Sequence, residues 1–160
     1  MPQALWRLGH DSLWGKIRMF ADGLFVYGAL REGGSNHAWL LRTHPEGLTR
    51  AWVAGRLFHL PAGYPALVPG PEPLDPPPEK GWVRGDFVGY DDEADLDSAL
   101  ADLDALLGVE EGLFTREILP VILESGHHYR AWAHVFHVER LPRLEREAVE
   151  LPDGDWAAYL

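Results

Sequence analysis

"LFVYGALREGGSN", residues 24–36, begins as an apolar run and ends as exposed backbone. Leu24–Tyr27 is rich in aromatic and β-branched side chains and reads as a buried strand. At Gly28 it empties into a loop carrying Arg31, two adjacent glycines and Ser35. Ser35 stands where an N-cap is expected, with Asn36–Leu41 as a short helix behind it. Glycine-rich backbone between a strand and a helix start can offer N–H groups to an anion. The plainer reading of Gly33-Gly34 is an ordinary turn.

Moving downstream, Leu48–Leu60 reads as a long strand. Ala51, Val53, Gly55 and Leu57 lie along one side of it, and small residues there predict a tightly curved sheet or a close ligand. Tyr64–Val68 is a further short apolar run. Residues 69–81 contain six prolines and must form a loop. Val83–Tyr90 is the next strand. Glu93–Leu107 is the clearest helix, with Leu96, Leu100, Leu103 and Leu107 on one face. Asp91 or Asp92 can cap its start, and Gly108 can end it. Phe114–Glu124 and Tyr129–Val138 read as strands joined by a hairpin turn at Ser125-Gly126. Strands outnumber helices and do not alternate with them, which predicts an α+β fold and not a doubly wound parallel sheet. Upstream, residues 1–22 form an extension. Ser12 can cap a helix there with Leu13, Trp14, Ile17 and Phe20 on one face, either packed on the body or forming a subunit contact in a homodimer.

The 160 residues suit one domain, read here as residues 23–160 behind that extension. The formal net charge is -11, and no basic patch is visible, so nucleic acid is not an expected partner. No apolar run approaches the roughly 20 residues that span a bilayer, and no secretory leader pattern is present, so no membrane association and a cytoplasmic location are expected. Without cysteine there are no disulfides, thiol nucleophiles or thiolate metal sites. Asn36 and Gln3 are the only amide side chains, and prolines are many, as in a thermophile or a GC-rich genome. The common dinucleotide, P-loop, zinc-protease and nucleophile-elbow motifs are absent. His127-His128 falls in the hairpin turn. His134 and His137 face opposite sides of a strand and cannot share a metal without a bulge. No metal and no cofactor are expected.

Four segments, in order, resemble one family: "FVYGALREGGSN", "GRLFHLPAGYPALVPG", "LDALLGVEEGLFTREILPV" and the terminal "GDW". Together they are similar to the γ-glutamylcyclotransferase-like proteins over about residues 24–158. The resemblance implies a mixed, largely antiparallel sheet rolled into a barrel, with flanking helices and a pocket at one end. It implies a small γ-glutamyl or carboxylate ligand. The ligand would be held by the backbone at Tyr27, Gly28, Ala29 and Leu30, with Gly33, Gly34 and Ser35 alongside. It further implies lactam closure, in which a glutamate deprotonates the substrate's α-amine and 5-oxoproline is released.

The chain departs from the family at that glutamate. The family reads Leu-Asp-x-x-Glu-Gly, and this chain reads Leu103-Asp104-Ala105-Leu106-Leu107-Gly108. Leu107 occupies the catalytic position and cannot take a proton. Glu111, brought back by flexible backbone at Gly108 and Gly112, and Asp104, one turn earlier, are the substitutes for the missing base. Glu110, Glu117, Asp86 and Arg84 are further ionisable neighbours. Three readings follow: an enzyme with a relocated base, a module that binds its ligand without converting it, and a structural or assembly role through the Trp-rich N-terminal segment.

Overall fold

The computed structural model describes residues 21–70, 81–109, 112 and 114–160. The strands are β1 (Gly23–Val26), β2 (Gly47–His59), β3 (Pro65–Pro69), β4 (Trp82–Gly89), β5 (Thr115–Leu123), β6 (His128–Val135) and β7 (Val149–Glu150). The helices are α1 (His37–Leu41), α2 (Glu93–Leu106), α3 (Leu141–Glu147) and α4 (Trp156–Tyr159), with a 3₁₀ turn at Val138–Arg140. Among the described residues no helix is long and apolar enough to cross a membrane. The expected helix within residues 1–20, the proline-rich loop at 71–80, the candidate base Glu111 and its neighbour Glu110 lie outside the described residues.

Five strands close into a barrel in the order β2-β4-β1-β6-β5, with β5 returning to β2. Every pair is antiparallel except β1 with β6. Closure leaves no free edge among these five strands. β2 pairs with β4 through Ala54 and with β3 from Gly55 onward, so its far half carries β3 and β7 outside the barrel. The sequence therefore reads correctly as α+β with a mixed barrel.

Small side chains explain how so few strands close. Ala51, Ala131 and Ala133 are fully buried in the barrel interior beside Phe25 and Phe87. A Cβ at Gly85 would lie 2.6 Å from the Phe25 ring. Two large rings opposite short side chains fill a narrow barrel at interior density. Closure of five strands around these small residues agrees with the expected tight curvature at β2.

On the outer face, Leu24, Val26 and Val88 pack beneath α2 through Leu96, Leu100 and Leu103. Burying each such leucine contributes roughly 1.5–3 kcal/mol. Asp92 caps α2 by accepting from the Ala94 N–H at 2.8 Å. Leu107 is the C-cap, and Gly108 follows at φ +65°, the left-handed conformation that ends a helix. The start of α1 differs from expectation. Asn36 and not Ser35 holds the cap position, without a side-chain cap bond. The reason is the Asn36 N–H, which reaches back to the Ala29 carbonyl at 2.9 Å and keeps Ser35 inside the loop. β6 also ends earlier than the sequence suggests. The chain leaves the sheet after Val135, and the His137 ring accepts from the Glu139 N–H to open the 3₁₀ turn.

Candidate functional site

Beyond β1 the loop is tied down from one side. The carbonyls of Gly28, Ala29 and Leu30 accept, respectively, from Arg31 N–H (3.1 Å), Asn36 N–H (2.9 Å) and the His37 ring Nδ1 (3.0 Å). The Gly34 N–H donates to the Arg31 carbonyl at 2.7 Å. Arg31 is clamped to Asp155 at 3.1 Å, and Asp86 accepts from the Glu32 N–H at 2.8 Å. The N–H groups of Gly28, Ala29 and Leu30, by contrast, have no acceptor among the described residues. Half-buried backbone donors are almost always paired. A loop with its carbonyls used and three successive N–H groups open has the donors that an anionic or developing oxyanionic group requires.

These three residues and Tyr27 line a cavity of about 310 Å³. Its other walls include Leu103, Leu106 and Leu107 from α2, Phe114, Tyr64, His134 of β6 and Trp156 of α4. Tyr27 is buried, and its hydroxyl donates to the His134 carbonyl at 2.5 Å and accepts from the Leu67 N–H at 3.3 Å. Burial pushes that hydroxyl far above its ordinary range, so it stays protonated. Its role is to hold β1, β3 and β6 together at the cavity floor. Gly33, Gly34 and Ser35 lie behind the wall, where Asn36 is the lining residue.

In the sequence, His134 figures only as a residue that cannot share a metal with His137 without a bulge. Its Nε2 sits 2.8 Å from Asp104 Oδ1, and Arg116 Nη1 lies 3.3 Å from the other oxygen of that carboxylate. The Arg116 guanidinium stacks 4.6 Å over the Trp132 ring. Arg116 and His134 are register partners on β5 and β6, and α2 lays Asp104 across them. Strand alternation puts His134 on the same face as Trp132, and this was the available signal. Burial lowers the imidazole below its usual range, Asp104 draws it partly back, and Arg116 adds to the depression.

A lowered folded-state pKa means that the unfolded chain takes up the proton first. Stability is therefore lost as pH falls through the ordinary histidine value of 6.5 toward the lower folded value. Melting temperature is expected to drop between about pH 7.5 and pH 5.5 in the wild type. His134→Gln should flatten that part of the profile, and an equal slope in both proteins would refute the assignment.

The remaining candidates disperse. Leu107 lines the cavity, half-buried, at the end of α2. Asp104 points at His134 and Arg116. Glu117 is in register with Ala133 and is not part of the cavity wall. Asp86 and Arg84 line a separate polar groove of about 470 Å³ on the outside of the barrel.

Residues 24–158 match the family described as "Gamma-glutamyl cyclotransferase, AIG2-like". A curated relative from Niallia circulans, gamma-L-glutamyl-butirosin B gamma-glutamyl cyclotransferase, is 28% identical over 146 residues, 90% of this chain and 81% of that protein. Among solved structures, YkqA from Bacillus subtilis superposes with a TM-score of 0.58 at 21% identity over 88% of this chain. The chain spans only 41% of YkqA. A mouse AIG2-like protein gives a TM-score of 0.54 at 17% identity, over 83% of this chain and 86% of its own. At these identities the structures speak for the fold alone.

Proposed function

The chain belongs to the gamma-glutamyl cyclotransferase, AIG2-like family, and from that premise we propose that it binds a γ-glutamyl amine in the 310 Å³ cavity and releases 5-oxoproline. The observation that carries this reading is the donor-only face of Gly28, Ala29 and Leu30. In this reading those N–H groups hold the γ-carbonyl oxygen as it becomes an oxyanion. The reaction is intramolecular. A cavity that keeps the glutamyl chain folded places the α-amine against the γ-carbon and supplies much of the rate by proximity alone. The α-amine is an ammonium at neutral pH, so a base is required. Leu103, Leu106, Leu107 and Phe114 make the outer wall apolar, which favours a leaving amine with an apolar body over a charged one.

A second reading, binding without conversion, is favoured by Leu107, an apolar side chain on the cavity wall at the position where the sequence resemblance implies a glutamate. The two are separated by incubating the purified chain with a panel of γ-glutamyl amines and peptides and measuring 5-oxoproline. Turnover above a heat-denatured control, faster for apolar amines, is expected. Saturable binding with no 5-oxoproline would establish the second reading instead.

A further inference from the structure

We propose that His134, oriented by Asp104 and Arg116, is the general base that stands in for the carboxylate missing at position 107. The inference rests on the cyclotransferase reading and says which group makes that reaction possible in this chain. Three observations meet at one place. His134 lines the same cavity as Leu107 and the open N–H groups of the Gly28–Leu30 loop. Its Nε2 is engaged by Asp104 at 2.8 Å, which makes Nε2 the protonated nitrogen and leaves Nδ1 with its lone pair. Nδ1 has no hydrogen-bond partner among the described residues.

Asp104 lies one turn before Leu107 on α2. The helix end that presents a carboxylate in the family pattern here presents leucine to the cavity and a carboxylate to an imidazole. The groups facing His134 are Asp104 from α2, Arg116 from β5 and the Tyr27 hydroxyl, which binds the His134 carbonyl and not its ring. Asp104 and Arg116 are positioning residues; neither lies where a substrate amine would be met first. The lowered proton affinity of the buried ring keeps it neutral, hence competent as a base, at physiological pH.

The proton count closes without any co-reactant. The substrate α-ammonium carries three protons. Nδ1 takes one, and the free amine attacks the γ-carbon to form the new C–N bond, with the oxyanion on the loop N–H groups. As the bond to the leaving nitrogen breaks, His134 returns its proton to that nitrogen and carries over a second from the attacking one. One proton remains on the lactam nitrogen, and the amine departs as an ammonium ion.

The experiment is steady-state 5-oxoproline release across pH by the wild type, His134→Gln, Asp104→Asn and Arg116→Gln, with ligand binding and thermal melts measured on each. His134→Gln, which can still hydrogen-bond Asp104, is expected to lose about 10²–10⁴-fold in kcat with KM and binding little changed. Asp104→Asn removes a group that raises the ring's proton affinity, so the acid limb of kcat should move to lower pH. Arg116→Gln removes one that lowers it, so the limb should move to higher pH. A merely structural role would not give opposite shifts. A folded His134→Gln protein within threefold of wild type, or limbs that do not move, would overturn the inference while leaving the cyclotransferase reading intact. Wild-type binding without turnover would overturn the inference and leave a binding module. Neither binding nor turnover would overturn both.

Discussion

Gly34→Ala is expected to cut turnover, or affinity if the chain only binds, by about 100-fold, because a shift of roughly 1 Å in a positioning loop costs that much. A Cβ at this position would fall 2.2 Å from the Ala29 carbonyl oxygen, 2.7 Å from its carbon and 2.9 Å from the Arg31 oxygen. All three are backbone atoms, so no side chain can swing aside. The Ala29 carbonyl is the one that Asn36 holds, and moving it turns the neighbouring peptide planes, whose N–H groups have no acceptor among the described residues. Global stability should change far less than function, since the loop sits outside the barrel core. Ser35→Ala is the matched control. Ser35 is exposed and outside the cavity wall, so the change should stay within about twofold of wild type. Kinetics or isothermal titration on the two variants reads the contrast, and a Gly34→Ala protein with near-normal activity would refute the donor role of the loop.

Tyr27→Phe is expected to destabilise the fold by roughly 2–6 kcal/mol, because it strands two buried backbone groups at about 1–3 kcal/mol each. The Leu67 N–H donates to the Tyr27 hydroxyl, and the hydroxyl donates to the His134 carbonyl. Phenylalanine keeps the ring packing among Phe25 and Leu67 but satisfies neither group. For a chain of this size the loss corresponds to a Tm decrease of roughly 4–24 °C. Urea or thermal denaturation measures it. A loss under about 0.5 kcal/mol would mean that the hydroxyl is not the link between β1, β3 and β6.

Much of the fold was readable because it is locally encoded. The stripe Leu96, Leu100, Leu103 predicts a buried helix face, and those residues are buried. The strand at Leu24, the long strand after Gly47 and the hairpin at Ser125-Gly126 follow from alternation and turn chemistry. The errors fall at ends. Ser35 looks like a cap by residue type, yet a contact from Asn36 back to Ala29 decides where α1 begins. The sequence reading carries β6 to Val138, yet the strand ends at Val135 and Phe136 packs on Phe114. The site was half legible. The loop from Tyr27 to Leu30 and the leucine at 107 stand out in sequence and both reach the cavity. His134 did not stand out, since alternation puts it on the face of Trp132 without saying which remote side chains pack there.

The sequence by itself determined the strand–loop–helix order, the α+β class and the absence of a carboxylate at position 107. These depend on residues a few positions apart, where propensity, periodicity and capping act directly. Only the tertiary structure decided that the loop's carbonyls are occupied while its N–H groups stay open. It alone brought Asp104 to His134, 30 residues away, and the Tyr27 hydroxyl to the His134 carbonyl, 107 residues away. Barrel closure sets both meetings. The pairing of β1 with β6 and of β5 with β2 fixes which faces oppose one another, and strand register is a property of two remote segments that no local pattern in either one contains.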